Sequence, residues 1–306
     1  MVFRDTLASL FRSLPPMRGK ARIGAALGHV LSGGNAATSQ ITVKMRDGSL
    51  MPLDLRDRTH EWAYWTGEYD CSVLMHLLDS LEPGSIVFDV GANVGLYTVP
   101  IGRKLQQRGG KVYAFEPVES NYRQMRRALA LNHLETTVQT YPFALGDEEG
   151  TISLYLQSNN ESPTGNAVLV KGDIPAERGN ATARITQLDM LAEETDLPGC
   201  HFIKIDVEGA EYMFLRGGAG FIQKHRPVIY GEFNHLWMKR FGHSFLDVAE
   251  LVGSWNYDLY KQSDGDQFLQ IKTPTVGLED VLLIPQETSP ERLARMSANA
   301  SAAERR

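Results

Sequence analysis

Two cysteines in 306 residues, Cys71 and Cys200, are too few and too far apart for a disulfide framework or a cysteine zinc site. A reducing cytoplasm is therefore the expected compartment. No run approaches the ~18 consecutive apolar residues that a membrane-spanning helix needs. Positive charge is not in excess: 31 Lys plus Arg stand against 37 Asp plus Glu, a formal net charge of −6. That balance argues against nucleic acid as a partner, which demands clustered positive charge. No internal repeat is present.

What remains is an ordinary globular composition, 42% apolar and 22% charged, with enough apolar material for a sizeable core. Near the start, Phe3, Leu7, Leu10 and Phe11 fall at helical spacing beside Arg4 and Arg12. This reads as a helix packed on its own domain, with peripheral membrane contact as the alternative. The run 23–31 follows basic residues but holds His29 and two glycines, and is discounted as a signal peptide. Residues 41–45 and 51–55 alternate around Asp47-Gly48, a hairpin signal. An aromatic group follows, Trp62, Tyr64, Trp65 and Tyr69, then a helical pattern over 73–81 ended by Pro83-Gly84.

Beyond this point short apolar strands alternate with helices. The strands are expected at 86–90, 112–116, 138–145, 202–206, 228–232, 257–260 and 281–284, with helices at 96–105, 120–131, 208–215 and 245–252. Such alternation implies an α/β fold, a seven-stranded, mostly parallel sheet with helices on both faces. The last two strands are expected as an antiparallel hairpin at the sheet edge. The polar stretch 157–183 interrupts the rhythm, and its length and position suggest a lid. The organisation expected is an N-terminal extension of helices and a β-hairpin over 1–60, a main domain over 61–285 and a polar tail over 286–306.

Val87-Phe88-Asp89-Val90-Gly91-Ala92-Asn93-Val94-Gly95 ends the first core strand in a glycine turn, where open α/β sheets bind ligands. Glu116, 25 positions after Gly91, ends the next strand, where an acid accepts from ribose hydroxyls. Both features fit a nicotinamide dinucleotide as well as S-adenosylmethionine. Asp89 favours the second, because a carboxylate there would repel a pyrophosphate and attract an ammonium and a sulfonium. The bland alternative for Asp89 is a cap on the following helix. Asn93 also stands where G-x-G-x-x-G requires its second glycine.

These segments, with Ala144-Leu145-Gly146-Asp147 and Phe202-Ile203-Lys204-Ile205-Asp206-Val207-Glu208-Gly209-Ala210-Glu211, resemble the FkbM family of methyltransferases in order and spacing. Trp65-Thr66-Gly67-Glu68-Tyr69 resembles the G-x-Y element that precedes the first motif there, and the likeness covers roughly residues 60–235. It implies a class I, Rossmann-like methyltransferase fold, S-adenosylmethionine as donor, and O-methylation of a sugar, glycan or natural-product hydroxyl. By motif position it assigns Asp89, Gly91, Asn93, Gly95 and Glu116 to the cofactor and lays Ala144 against the adenine.

Asp206 is expected in the cleft, steadying the methionine ammonium or helping to deprotonate a hydroxyl. Glu208 or Glu211 would hold the acceptor, and Glu208 is also a catalytic candidate; both glutamates equally suit the positive end of a helix. His235 is the candidate general base, with a surface histidine as the alternative. Glu232, Trp65 and Tyr69 are candidates for the acceptor side, although aromatics are also the default core filler. Asp206, Glu232 and Asn234 do not make a diagnostic magnesium set, so no metal is expected. The competing functions are an NAD-dependent oxidoreductase and a non-catalytic S-adenosylmethionine-binding protein. A nucleic-acid methyltransferase is opposed by the charge and by the lack of any N-P-P-[YF] or D-P-P-[YF] segment.

Overall fold

The structure, a computed structural model, describes residues 2–13, 23, 40–69, 72–156, 167–169, 181–262, 268–272 and 280–288. The N-terminal part consists of α1 (Val2–Ser13), the hairpin β1 (Gln40–Lys44) and β2 (Leu50–Asp54), α2 (Arg58–Thr66) and α3 (Ser72–Asp79). A βαβαβ run follows: β3 (Ile86–Val90), α4 (Thr98–Gln106), β4 (Lys111–Phe115), α5 (Glu119–Leu131) and β5 (Val138–Tyr141). Next come β6 (Ala144–Leu145), β7 (Gly150–Leu156), β8 (Ala167–Leu169), β9 (Ala181–Thr186) and α6 (Leu188–Thr195). The second half holds β10 (Phe202–Ile205), α7 (Glu211–Gly217), α8 (Ala219–His225), β11 (Val228–Glu232) and α9 (His235–Arg240). Last are α10 (Phe245–Ser254), β12 (Tyr257–Gln262), β13 (Phe268–Gln270) and β14 (Asp280–Pro285).

The main sheet has eight strands in the order β13-β12-β14-β11-β10-β3-β4-β5. Strands β11, β10, β3, β4 and β5 are mutually parallel, and β14 runs against both β11 and β12. Because chain order departs from β3 in both directions, to β4 on one side and β10 on the other, a crevice opens at the carboxyl ends of β3 and β10. Alternate residues feed two cores. Val87, Phe202, Leu282 and Ile284 point to one face with the N-terminal elements, and Phe88, Ile203, Val281 and Leu283 to the other. The hairpin β1–β2, α2 and α3 thus share their core with α4, α5 and the sheet.

Four expectations need correction, the first being the strand count, eight in place of seven because β13 pairs beyond β12. The terminal hairpin forms, with Leu259 opposite Leu283, but β14 lies inside the sheet and β13 takes the edge. Strand β14 pairs with β11 on one side and β12 on the other, and its Val-Leu-Leu-Ile run is buried on both faces. The strand expected over 138–145 breaks at Pro142, which lacks an N–H for the ladder. Beyond it, β6 joins a second, four-stranded sheet of order β6-β9-β7-β8 that the sequence reading lacked. The helix expected from 208 starts at Glu211, since Glu208 (φ 54°) and Gly209 (φ 102°) are left-handed. Within the stretch read as a lid, residues 167–169 pair with β7. Its remainder, apart from 181–183 at the start of β9, and the tail from 289 lie outside the described residues.

Candidate active site

A cavity of about 350 Å³ opens over the carboxyl ends of β3, β4, β10 and β11. Gly91, Asn93, Glu116, Ala144, Asp206, Glu208, Glu232 and Tyr69 all line it, so eight of the residues singled out from the sequence meet in one place. The glycine turn is held from three sides. Gly91 and Ala92 N–H donate to the Phe115 carbonyl at 3.1 and 3.0 Å. Asn93, itself left-handed at φ 50°, donates its N–H to Glu116 Oε2 at 2.8 Å. A Cβ on Gly91 (φ 80°) would collide with the Asp206 carbonyl oxygen, so only glycine lets these two loops close on each other.

Glu116 is buried, and its other oxygen accepts the Val118 N–H at 2.9 Å. Burial pushes its pKa up to about 7, against the pull of these N–H donors. Glu208 also rises to about 7, through burial first and then through the charges of Asp206 and Glu232. Lys204, which the sequence reading passed over, is buried on the cavity wall. Its Nζ lies 3.4 Å from Asp206 Oδ2, 3.5 Å from Asp89 Oδ1 and 4.6 Å from the centre of the Tyr97 ring. Burial alone would lower its pKa, but Asp206 and Asp89 raise it, and the ammonium stays charged.

Five of the expected residues do not reach the wall. Asp89 is fully buried behind it, where its Oδ2 accepts from Thr98 Oγ1 at 2.6 Å and its Oδ1 faces Lys204. Gly95 packs against the Met125 side chain between α4 and α5. Trp65 is core, edge-on to Tyr64 and Phe11. Glu211 is buried as a staple for its own loop: Oε1 accepts the Gly209 and Val207 N–H groups at 3.0 and 3.3 Å. His235 is the first residue of α9, outside the lining, while Trp237 two residues on lines the cavity and carries Arg240 3.9 Å above its ring. Trp237 and Tyr97 were the aromatic signals to find, since each lies within two or three residues of a motif already marked. Asn234 spends its side-chain oxygen on the N-terminus of α9, accepting from Leu236 and Trp237. Among the described residues no cluster of three His, Cys, Asp or Glu is placed to hold a metal ion.

A family model described as "Methyltransferase FkbM domain" matches residues 89–259, more than half of the chain. The chain belongs to the FkbM methyltransferase family. Three curated relatives agree with this. Methyltransferase 1 of Beauveria bassiana is 28% identical over 150 residues, 44% of this chain and 58% of that protein. Methyltransferase sdnD of Sordaria araneosa is 31% identical over 165 residues, 45% and 62% of the two chains. The hexuronic acid methyltransferase AglP of Haloferax volcanii is 27% identical over 163 residues, 53% and 61%. The matches span about three fifths of each relative's length. A crystal structure of an FkbM methyltransferase from Methylobacillus flagellatus KT superposes with a TM-score of 0.46 at 14% identity, over 87% of this chain and 60% of that one. So loose a superposition adds nothing to the functional argument. The expected α/β fold and the FkbM family therefore hold, and the cavity lies at the sheet's switch point. No helix among the described residues is long and apolar enough to cross a membrane.

Proposed function

We propose that this methyltransferase uses S-adenosylmethionine to methylate a hydroxyl of a sugar or natural-product acceptor. The observation that carries the reading is the charge of the cavity wall. Among the described residues five acids line it, Asp57, Asp206 and Glu232 with Glu116 and Glu208, the last two titrating near 7, against one ammonium, Lys204. A diphosphate would be repelled there, whereas a ligand with an ammonium and a sulfonium is favoured. This supports the donor over a nicotinamide dinucleotide more directly than Asp89, whose carboxylate faces Lys204 behind the wall.

Glu116, with the backbone of Gly91 to Asn93 beside it, would hold the ribose end, and Ala144 and Phe143, which line the same cavity, would take the adenine. Asp206 would meet the ammonium. When bound, the donor supplies an electrophilic methyl carbon. The protein's part is to align the acceptor oxygen in line with that carbon and to take its proton. Glu208 is the general base in this reading, because a carboxyl titrating near 7 is matched to that task at neutral pH. His235, off the wall, becomes the lesser candidate. An anionic carboxylate acceptor would need no base and would be repelled by Asp206, Glu208 and Glu232, so a hydroxyl fits better. AglP, by its name, acts on a hexuronic acid, a sugar with both hydroxyls and a carboxylate, and that supports the sugar class for this chain without bearing on the choice of hydroxyl.

Calorimetric titration with S-adenosylmethionine and with NADH tests the donor; binding of NADH alone would overturn the reading. Incubation of pooled sugars, glycolipids and polyketides with methyl-labelled donor tests the acceptor. Donor binding with no transfer to any acceptor would favour a non-catalytic binding protein.

A further inference from the structure

The cavity wall extends beyond the stretch that the family model matches. Asp57, Thr59 and His60, at the start of α2, line it as well. The hairpin places them there. Asn132 of the loop after α5 bonds both the N–H and the carbonyl of Leu50, and Gln124 of α5 donates to the Pro52 carbonyl at 2.7 Å. Strand β2 therefore runs back along α5 towards that helix's N-terminal end, where Asn121 lines the cavity and bonds Glu116. Asp54 and α2 arrive at this end, away from the loop after β10.

His60 is only 2% exposed. Its Nδ1 accepts the Asp54 backbone N–H at 3.0 Å, and a ring nitrogen that accepts carries no proton. Burial holds the imidazole pKa below its ordinary value, although Asp57 and Asp54 pull the other way. The ring is thus neutral at physiological pH, with its one proton on Nε2. No hydrogen bond to Nε2 is seen among the described residues, and His60 lines the cavity. His60 Nε2 is not among the buried side-chain atoms cut off from any partner, so cavity water reaches it, and a ligand oxygen can take that water's place.

We propose that His60 donates its Nε2–H to an oxygen of bound S-adenosylmethionine, so that the N-terminal hairpin and α2 complete the methyl donor's site. The inference rests on the donor reading above. The oxygen belongs either to the ribose or to the methionine carboxylate, and the two share one chemistry, an acceptor facing a neutral N–H.

The test is calorimetric titration of the full chain with S-adenosylmethionine and with 5′-methylthioadenosine, which keeps the ribose and lacks the amino-acid part. His60→Asn keeps an acceptor for the Asp54 N–H and removes the outer donor; His60→Gln carries a donor to the outer position. We expect His60→Asn to weaken S-adenosylmethionine about tenfold with the melting temperature of the free protein unchanged, and His60→Gln to recover most of the affinity. An equal loss for methylthioadenosine assigns the ribose, and no loss assigns the carboxylate. Unchanged S-adenosylmethionine affinity in His60→Asn overturns the proposal. So does a loss that follows the melting temperature and is not recovered in His60→Gln. If the unsubstituted chain binds no S-adenosylmethionine, the donor reading itself has failed and this inference falls with it.

Discussion

Lys204 and Asp89 are register partners on the adjacent parallel strands β10 and β3, and Lys204 Nζ stands 3.5 Å from Asp89 Oδ1 on the sheet face that α4 covers. The same ammonium reaches Asp206 at 3.4 Å. One cation thus ties the strand that bears the glycine turn to the loop that bears the catalytic candidates.

Removing that cation leaves Asp89 as an uncompensated buried charge. Lys204→Met is expected to cost about 3 kcal/mol, the low end for breaking a buried ion pair. Pairing it with Asp89→Asn should cost less than the sum of the two single changes. Urea unfolding of the three variants measures this; strict additivity would show that the pair does not interact.

The pH dependence of turnover follows from Glu208. With a carboxyl near 7 that must be ionised to accept a proton, kcat at saturating donor should rise roughly tenfold from pH 6 to pH 8. In Glu208→Gln the rise should vanish and kcat fall about 100-fold or more. Glu116 titrates in the same range, but its effect belongs to donor affinity and appears in KM. A pH profile that survives in Glu208→Gln would return attention to His235.

Stability should fall as the solution becomes more alkaline. Glu116 and Glu211 are buried, and burial pushes their pKa values up to about 7 and about 8 from the ordinary 4.5. A carboxyl raised in this way binds more protons folded than unfolded. Its favourable contribution is complete below about 4.5 and is lost as the pH climbs through 7 to 8. Glu211 Oε2 is buried without a hydrogen-bond partner, a setting that disfavours the charged carboxylate. Glu211→Gln, which keeps an oxygen for the Gly209 and Val207 N–H groups, should flatten the decline in a denaturation series from pH 5 to pH 8.5. An unaltered slope would remove Glu211 from the account.

Gly91→Ala places a methyl group against the Asp206 carbonyl in a left-handed residue. The loops must part, and S-adenosylmethionine affinity should fall more than tenfold, by at least about 1.4 kcal/mol. Retained affinity in calorimetry would mean that the two loops need not touch for the donor to bind.

Much of this was legible in the chain itself. Strands β3 and β11 fall where the apolar runs place them, residue for residue, because both are short, buried and bounded by turn residues. The glycine turn and Glu116 are equally local. Less legible were breaks caused by single residues. Pro142 diverts the chain from the main sheet into the smaller one, and Glu208 with Gly209 delays α7 by three residues. Trp65 and Tyr69 looked alike as aromatics near a motif. Only burial separates them, since Trp65 fills the core beside Phe11 while Tyr69 meets Tyr97 on the cavity wall.

Sequence alone determined the main strands and helices of the parallel sheet, the turn that can face a ligand and the acid at the end of the next strand, because periodicity, glycine and strand termini act over a few residues. It could not decide which carboxylate faces the ligand and which faces a lysine. That depends on the register between strands more than 100 residues apart in the chain, which sets Lys204 beside Asp89 and leaves Asp206 and Glu208 to the cavity. Nor could it place His60 on the wall, because a hairpin's position along α5 is fixed by side-chain bonds spanning 72 and 82 residues, and contacts of that range exist only once the chain has folded.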